Sequence, residues 1–332
     1  MNKPIPISEM HKFHFGAKVF CSDGECGVLT HIAFDPTTRR MVAIGVKQGW
    51  LFGKTVYIAY DTVTDATSDG VQLRVSSAEL LASKVEAQGT LLDSKSVVEL
   101  VESQTKGTLL LIAVHPQSGE LAYLVTHHLR AGQDTFIRQD SVSKLETDRV
   151  TVSLDEGTLQ ALPPYRSDDE LQREVEDMLF DLTLLHVDLA GMRIRVLDSV
   201  LYLDGNISSS LRGDIVADQA MGTQGLLAVE NRLIADDRLA GDLALVLGRD
   251  EHTHDLPIGV YPKLGVVRLS GAVHTTQQQQ AAEEIAHKFS GVRSVINDLV
   301  VDPKADMLHV MSSSEGAEAE DKVPGPYVRH TT

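Results

Sequence analysis

The sequence predicts an α+β multidomain chain, two small β-barrels followed by two small α/β sandwich modules. Two internal duplications and a change of hydrophobic period between them carry that prediction. In the first half, Gly27, Asp35-Pro36, Tyr57-Ile58, Asp61, Val63 and Val71-Gln72-Leu73 recur as Gly107, His115-Pro116, Phe136-Ile137, Asp140, Val142 and Val150-Thr151-Val152. The offset is constant up to the long loop and shortens by a single position after it. In the second half, Gly205, Gly225, Val229 and Asn231 recur at one fixed spacing as Gly271, Gly291, Val295 and Asn297. Self-similarity at a fixed period marks a repeated structural unit. The expected divisions are 1–84, 85–165, 166–235 and 236–302, with a disordered tail over 303–332 that lacks apolar periodicity.

In the first unit, strands are expected at Ala17–Phe20, Val28–Phe34, Met41–Lys47, Thr55–Ala59 and Val71–Val75. Turn chemistry separates them: Asp23-Gly24, then Asp35-Pro36-Thr37-Thr38 with Pro at the second position of a type I turn. Short strands at this spacing suggest a small barrel or sandwich, and closure would remove exposed sheet edges. Cys21 and Cys26 flank a hairpin turn without a CxxC motif and read as reduced thiols.

Gly16-Ala17-Lys18-Val19, Gly27-Val28-Leu29, Phe34–Thr38 and Gly53–Val63 resemble the PRC-barrel family over most of residues 14–82. The second copy keeps Gly107–Pro116 and Phe136–Val142, but its loop is Leu129-Arg130-Ala131-Gly132-Gln133. PRC-barrels are small non-catalytic interaction modules, found in the photosynthetic reaction centre and a ribosome-maturation factor, so the resemblance implies a binding role. Trp50-Leu51-Phe52 is a bulky apolar run on a predicted loop and holds the chain's one Trp. It either plugs the barrel end or anchors a protein partner, since aromatic anchors dominate interface energetics.

Pro163-Pro164-Tyr165 reads as a linker. Beyond it, Ser167 and Glu170 form a capping-box signature, and Leu171, Val175, Met178, Leu179 and Leu182 line one helix face. Strands at Ile194–Leu197 and Val200–Leu203, a helix over about 209–221 and a strand at Leu227–Ile234 complete the third unit. The fourth repeats the pattern with a helix at 237–248, strand Val266–Leu269, a helix opened by Thr275-Thr276 with Ala282, Ile285, Ala286 and Phe289 on one face, and a closing strand after Gly291. The run Val266–Leu299 closely resembles the BON family, α/β modules that occur singly or in tandem. That resemblance implies non-catalytic binding of phospholipid or small ligands, in osmotic-stress settings. The third unit departs from the pattern at Gly213 and Gly222, in or beside its helix. Units one and four thus keep their patterns while the middle two have drifted, which places specific binding surfaces near the two ends.

Charge narrows the partners. The net charge is −17; residues 1–84 carry 9 basic against 8 acidic side chains, and residues 166–302 carry 12 against 23. Nucleic acid and anionic lipid both reward clustered Lys and Arg, so a nucleic-acid partner is not expected and membrane association is disfavoured. The first residues, Met1–Ile7, lack the apolar core of a signal peptide, which leads to an expected cytoplasmic location. His252-Thr253-His254, beside Asp250, Glu251 and Asp255, is the densest ligand cluster, but two histidines fall short of the four ligands of a structural zinc; they are weak metal candidates in a polar loop. GxxxxGK[ST] and GxSxG are missing, and nothing pairs a nucleophile with a base. The expectation is a non-enzymatic, stress-related scaffold without cofactor, its units packed on each other or across a homo-oligomer because each buries a limited core. The alternative is a peripheral phospholipid or small-ligand binder acting through the BON-like units.

Overall fold

The computed structural model describes residues 5–48, 54–82, 84–86, 89–103 and 105–304. It is a mixed α/β chain dominated by strands, in two compact units. One gathers Met1–Leu179, Ile194–Tyr202 and Gln219–Glu230; the other gathers Phe180–Arg193, Leu203–Asp218 and Asn231–Thr332.

The first repeat contains β1 (His11–His14), β2 (Lys18–Cys21), β3 (Gly24–Phe34), β4 (Met41–Lys47), β5 (Thr55–Ala59), β6 (Val63–Thr67), β7 (Gly70–Leu73) and a short α1 (Ser77–Ala82). The second contains β8 (Thr90–Leu92), β9 (Val97–Leu100), β10 (Lys106–Val114), β11 (Leu121–Arg130), β12 (Gln133–Arg138), β13 (Val142–Glu146), β14 (Arg149–Val152), α2 (Glu156–Ala161) and β15 (Pro164–Tyr165). Their sheets run β5-β4-β3-β2-β7-β6 and β13-β14-β9-β10-β11-β12-β15. Both orders are open paths, so the expected closed barrels do not form among the described residues. The chain leaves the sheet after β5 and β12 through 3₁₀ turns at Tyr60–Thr62 and Gln139–Ser141, and resumes at the far edge as β6 and β13. Bulges between Leu29 and His31 and between Leu109 and Leu111 bend the β3–β4 and β10–β11 pairs.

The leading strand of each repeat belongs to the other repeat's sheet. β1 pairs with β10, His11 opposite Val114 and Phe13 opposite Ile112. β8 pairs with β3, Thr90 opposite Phe34 and Leu92 opposite Ile32. These pairings are the same contact made twice, related by the repeat offset. Arg40 bridges Glu120, its own counterpart in the second copy, so an approximate two-fold axis passes between them. Phe13, Leu29, Ile32, Phe34, Ile44 and Ile58 share one buried core with Leu92, Leu109, Ile112, Leu124 and Ile137. Turn chemistry survives the duplication in altered form. Asp35 Oδ1 accepts from the amides of Thr37 and Thr38 at 2.8 and 2.7 Å. In the second copy, His115 Nδ1 accepts from Gln117 and Ser118, both at 3.2 Å.

Two expectations are corrected by the structure. Cys21 and Cys26 are disulfide-bonded, with Cα atoms 5.8 Å apart, because the β2–β3 hairpin folds the intervening turn back on itself. Pro163-Pro164-Tyr165 contributes more than a linker: Pro164–Tyr165 is an edge strand on β12, where a missing N–H costs the sheet nothing.

The remaining chain forms α3 (Asp168–Asp181), β16 (Met192–Leu197), β17 (Val200–Ile207), α4 (Ser210–Met221), β18 (Ala228–Ala235), α5 (Asp236–Leu247), β19 (Ile258–Lys263), β20 (Val266–Val273), α6 (Thr276–Lys288) and β21 (Ser294–Val301). Each three-stranded sheet runs in chain order, β16-β17-β18 and β19-β20-β21. In the second, β19 is antiparallel and β21 parallel to β20. Leu239, Leu243 and Leu247 of α5 and Ala282 and Ala286 of α6 cover Val267, Leu269 and Leu299 on one sheet face. Thr275 caps α6 in a reciprocal capping box with Gln278.

Candidate functional site

Two local devices recur in the last two repeats and fix their geometry. An aspartate in the first turn of a helix clamps the next hairpin turn. Asp168 accepts from Asp198 N and Ser199 N at 2.7 and 2.8 Å; Asp236 accepts from Leu264 N and Gly265 N at 2.6 and 3.1 Å. The turn residues Asp198, Ser199, Leu264 and Gly265 all have positive φ, so these amides point together, and a carboxylate with two acceptor oxygens fits them. Asn231 donates to Gly213 O and accepts from Leu233 N; Asn297 donates to Gln279 O and accepts from Leu299 N. These bonds tie each helix to the strand that follows it.

Within the unit that begins at Phe180, the chain encloses a cleft of about 440 Å³. Ala190–Arg193 and Asp204–Asn206 form one side, and Ile234 with Gly291–Arg293 the other. Asn206 is buried and donates from Nδ2 to Gly291 O at 2.9 Å, pinning the two sides. Gly205 sits at φ +105°, where an added Cβ would lie 2.3 Å from Gly191 O, so only glycine fits. In the 3₁₀ turn that precedes Met192, the buried Asp188 accepts from Ser208 N at 2.8 Å and from Arg212 Nη1 at 2.6 Å. Burial pushes the Asp188 carboxyl up, but these donors outweigh it and hold it below the usual range.

A separate group of charges surrounds β1. Lys12 is 1% exposed, and burial depresses its ammonium despite the nearby Asp198, Asp65 and Asp168 carboxylates. Burial likewise lowers His11, which lies 3.0 Å from Tyr60 Oη. His14 Nε2 is 2.5 Å from Asp198 Oδ1, whose other oxygen accepts from Ser68 N at 3.1 Å. His11 and Lys12 are buried, whereas His14 is partly exposed.

Of the residues singled out from sequence, Trp50, Leu51 and Phe52 lie outside the described residues. His252 and His254 occupy an exposed turn after α5, beside Glu251 and Asp255 at 3.5 and 3.8 Å, with His254 Nδ1 also 3.2 Å from Asp250 O. Among the described residues, no group of three or more His, Cys, Asp or Glu side chains could hold a metal ion. Sequence reading missed Arg193 and Arg293. Their signal was available as a departure from the repeat: the matching positions of the neighbouring copy hold Gly259 and Leu227.

Comparison with known proteins bears on this same region. A family model matches residues 235–303. The matching family is the BON domain. Beyond it, the chain is 25% identical over 148 residues to Osmotically-inducible protein Y of Escherichia coli (strain K12), spanning 41% of this chain and 73% of that protein. Two solved structures of CdsD, a structural protein of the type III secretion system of Chlamydia trachomatis, are also similar. One, at 15% identity, covers 46% of this chain and 69% of its own with a TM-score of 0.33. The other, a C-terminal domain at 16% identity, covers 42% and 68% with a TM-score of 0.34. Similarity at that level supports no inference about architecture or role.

Proposed function

We propose that this chain is a non-enzymatic binding protein of the osmotic-stress response, in which a PRC-barrel-like pair carries two BON modules in tandem. The observation that carries the reading is the BON domain at 235–303 together with similarity to an osmotically inducible protein over 148 residues, about twice the length of that domain. The repeated Asp168 and Asp236 turn clamps and the repeated Asn231 and Asn297 bonds support a BON assignment for residues 166–235 as well. In this reading the protein acts in the cytoplasm as a scaffold, binding a protein partner, with self-association as a further element. Deleting its gene in the native host and raising external osmolarity tests it. Slowed recovery, restored by the wild-type gene, is expected; recovery indistinguishable from the parent strain overturns the reading.

A second reading, peripheral phospholipid binding, is favoured by one observation. The face of the β19-β20-β21 sheet opposite α5 and α6 is uncovered, with Tyr261, Ile296 and Val300 exposed at 60, 40 and 62%. Register sets Tyr261, Arg268 and Ile296 side by side across the strands. Co-sedimentation with neutral and anionic vesicles separates the readings, because a scaffold stays in the supernatant with both.

A further inference from the structure

The cleft between the last two repeats is lined by cations that the repeat itself does not require. Arg193 and Arg293 both border it, one from each side, and both are exposed. Neither forms an ion pair or side-chain hydrogen bond among the described residues. Asp204, a carboxylate on the lining, is likewise unbonded to either. Elsewhere this acidic chain pairs many of its arginines: Arg40 with Glu120, Arg149 with Glu99, Arg195 with Asp69, Arg212 with Asp188 and Arg268 with Asp298. Their counterparts in the neighbouring copy, Gly259 and Leu227, border no part of this cleft and carry no charge. The two arginines are therefore specific to the junction. Positive charges gathered in a concave site raise the local concentration of anions, and about 440 Å³ is a volume typical of small-ligand clefts.

We propose that this cleft is an anion site, in which a phosphate-bearing ligand is held between the Arg193 and Arg293 guanidinium groups over a floor of Met192, Ile234 and Val292. Guanidinium forks match phosphate oxygens two at a time, which makes the pair selective for phosphate over chloride. The ligand bridges the two repeats, because each supplies one arginine. This proposal rests on the binding reading above and deepens it.

Isothermal titration of the full chain with inorganic phosphate, and co-sedimentation with phosphatidylglycerol vesicles, distinguish a free ligand from a lipid headgroup. Arg293→Leu installs the residue of the other copy, Arg193→Gln removes the second charge, and Arg249→Gln is a control on an exposed arginine outside the cleft. Each cleft variant should weaken phosphate binding at least tenfold while the control and the circular dichroism spectrum stay unchanged. Arginine-dependent binding of vesicles alone upholds the site and assigns the phosphate to a headgroup. Binding in neither arm, or binding insensitive to both cleft variants, overturns the proposal. A deletion phenotype with no phosphate or vesicle binding by the wild-type chain sinks the anion site and leaves the stress function standing; a missing phenotype with arginine-dependent binding does the reverse.

Discussion

Replacing Asp236 with Ala tests whether the turn clamp organises the BON domain. The carboxylate is 7% exposed and accepts from Leu264 N and Gly265 N at 2.6 and 3.1 Å. Hydrogen bonds to a charged group are worth about 1.5–3 kcal/mol each, so losing both costs roughly 3 kcal/mol even at the low end. At ~0.05–0.15 kcal/mol per residue, a domain spanning 235–303 has on the order of 3–10 kcal/mol in hand. The substitution therefore removes a third or more of it. Hydrogen exchange on the full chain reads this locally: peptides from β19 and β20 should exchange roughly 100-fold faster, since about 1.4 kcal/mol corresponds to a factor of ten. Peptides from β10 and β11 serve as an internal reference and should not change. Asp236→Asn, which keeps one acceptor, should fall between. An acceleration of less than about tenfold for Asp236→Ala would refute the reasoning, because the turn amides would then have other acceptors.

Two further outcomes concern the paired repeats. Phe13 is fully buried in β1 against the second repeat's sheet, so Phe13→Ala should cost about 3–5 kcal/mol and accelerate exchange in β10 as well as β3; an effect confined to residues 14–84 would contradict the exchanged strands. Burial holds the His11 imidazole below its ordinary value of 6.5, so the unfolded chain takes up that proton more readily and stability falls as pH drops below about 6.5. His11→Asn should flatten the decline of Tm between about pH 7 and pH 5 relative to wild type, and an unchanged slope would show that His11 carries none of it.

What the sequence made legible was local. Met41–Lys47 and Thr55–Ala59 read directly as strands and are strands to the residue, because Val, Ile and Tyr in short runs bounded by turn residues leave little choice. The leucine spacing of α5 and the Thr275 start of α6 were equally plain. Partner choice was not. Nothing within His11–His14 says that it pairs with β10 rather than β3, since strand pairing is settled by distant surfaces. Closure of the barrels was expected from strand spacing, edge avoidance and the PRC-barrel resemblance, but the chain leaves each sheet through a 3₁₀ turn and resumes at the far edge. The Cys21–Cys26 bond depended on the hairpin bringing the two together. The candidate cleft left the faintest trace, two unpaired arginines whose meaning lies in being absent from the matching positions of the neighbouring repeat.

The exchange of β1 and β8 makes the first two repeats a symmetric dimer written as one gene. In a dimer of separate subunits every substitution appears twice and both faces must tolerate it. Fusion lifts that constraint while the tether replaces the concentration that association would otherwise demand. The copies have used that freedom differently: Tyr165 and Leu227 pack over Tyr123 and Val125 on the second sheet, whereas the first sheet holds Ala43 and Gly45 at those positions and keeps an open hollow beside Val42 and Val85. Later segments of the chain therefore pack on the second sheet, while the first repeat meets them through polar contacts such as those of Ser68 and Asp69 with Asp198 and Arg195.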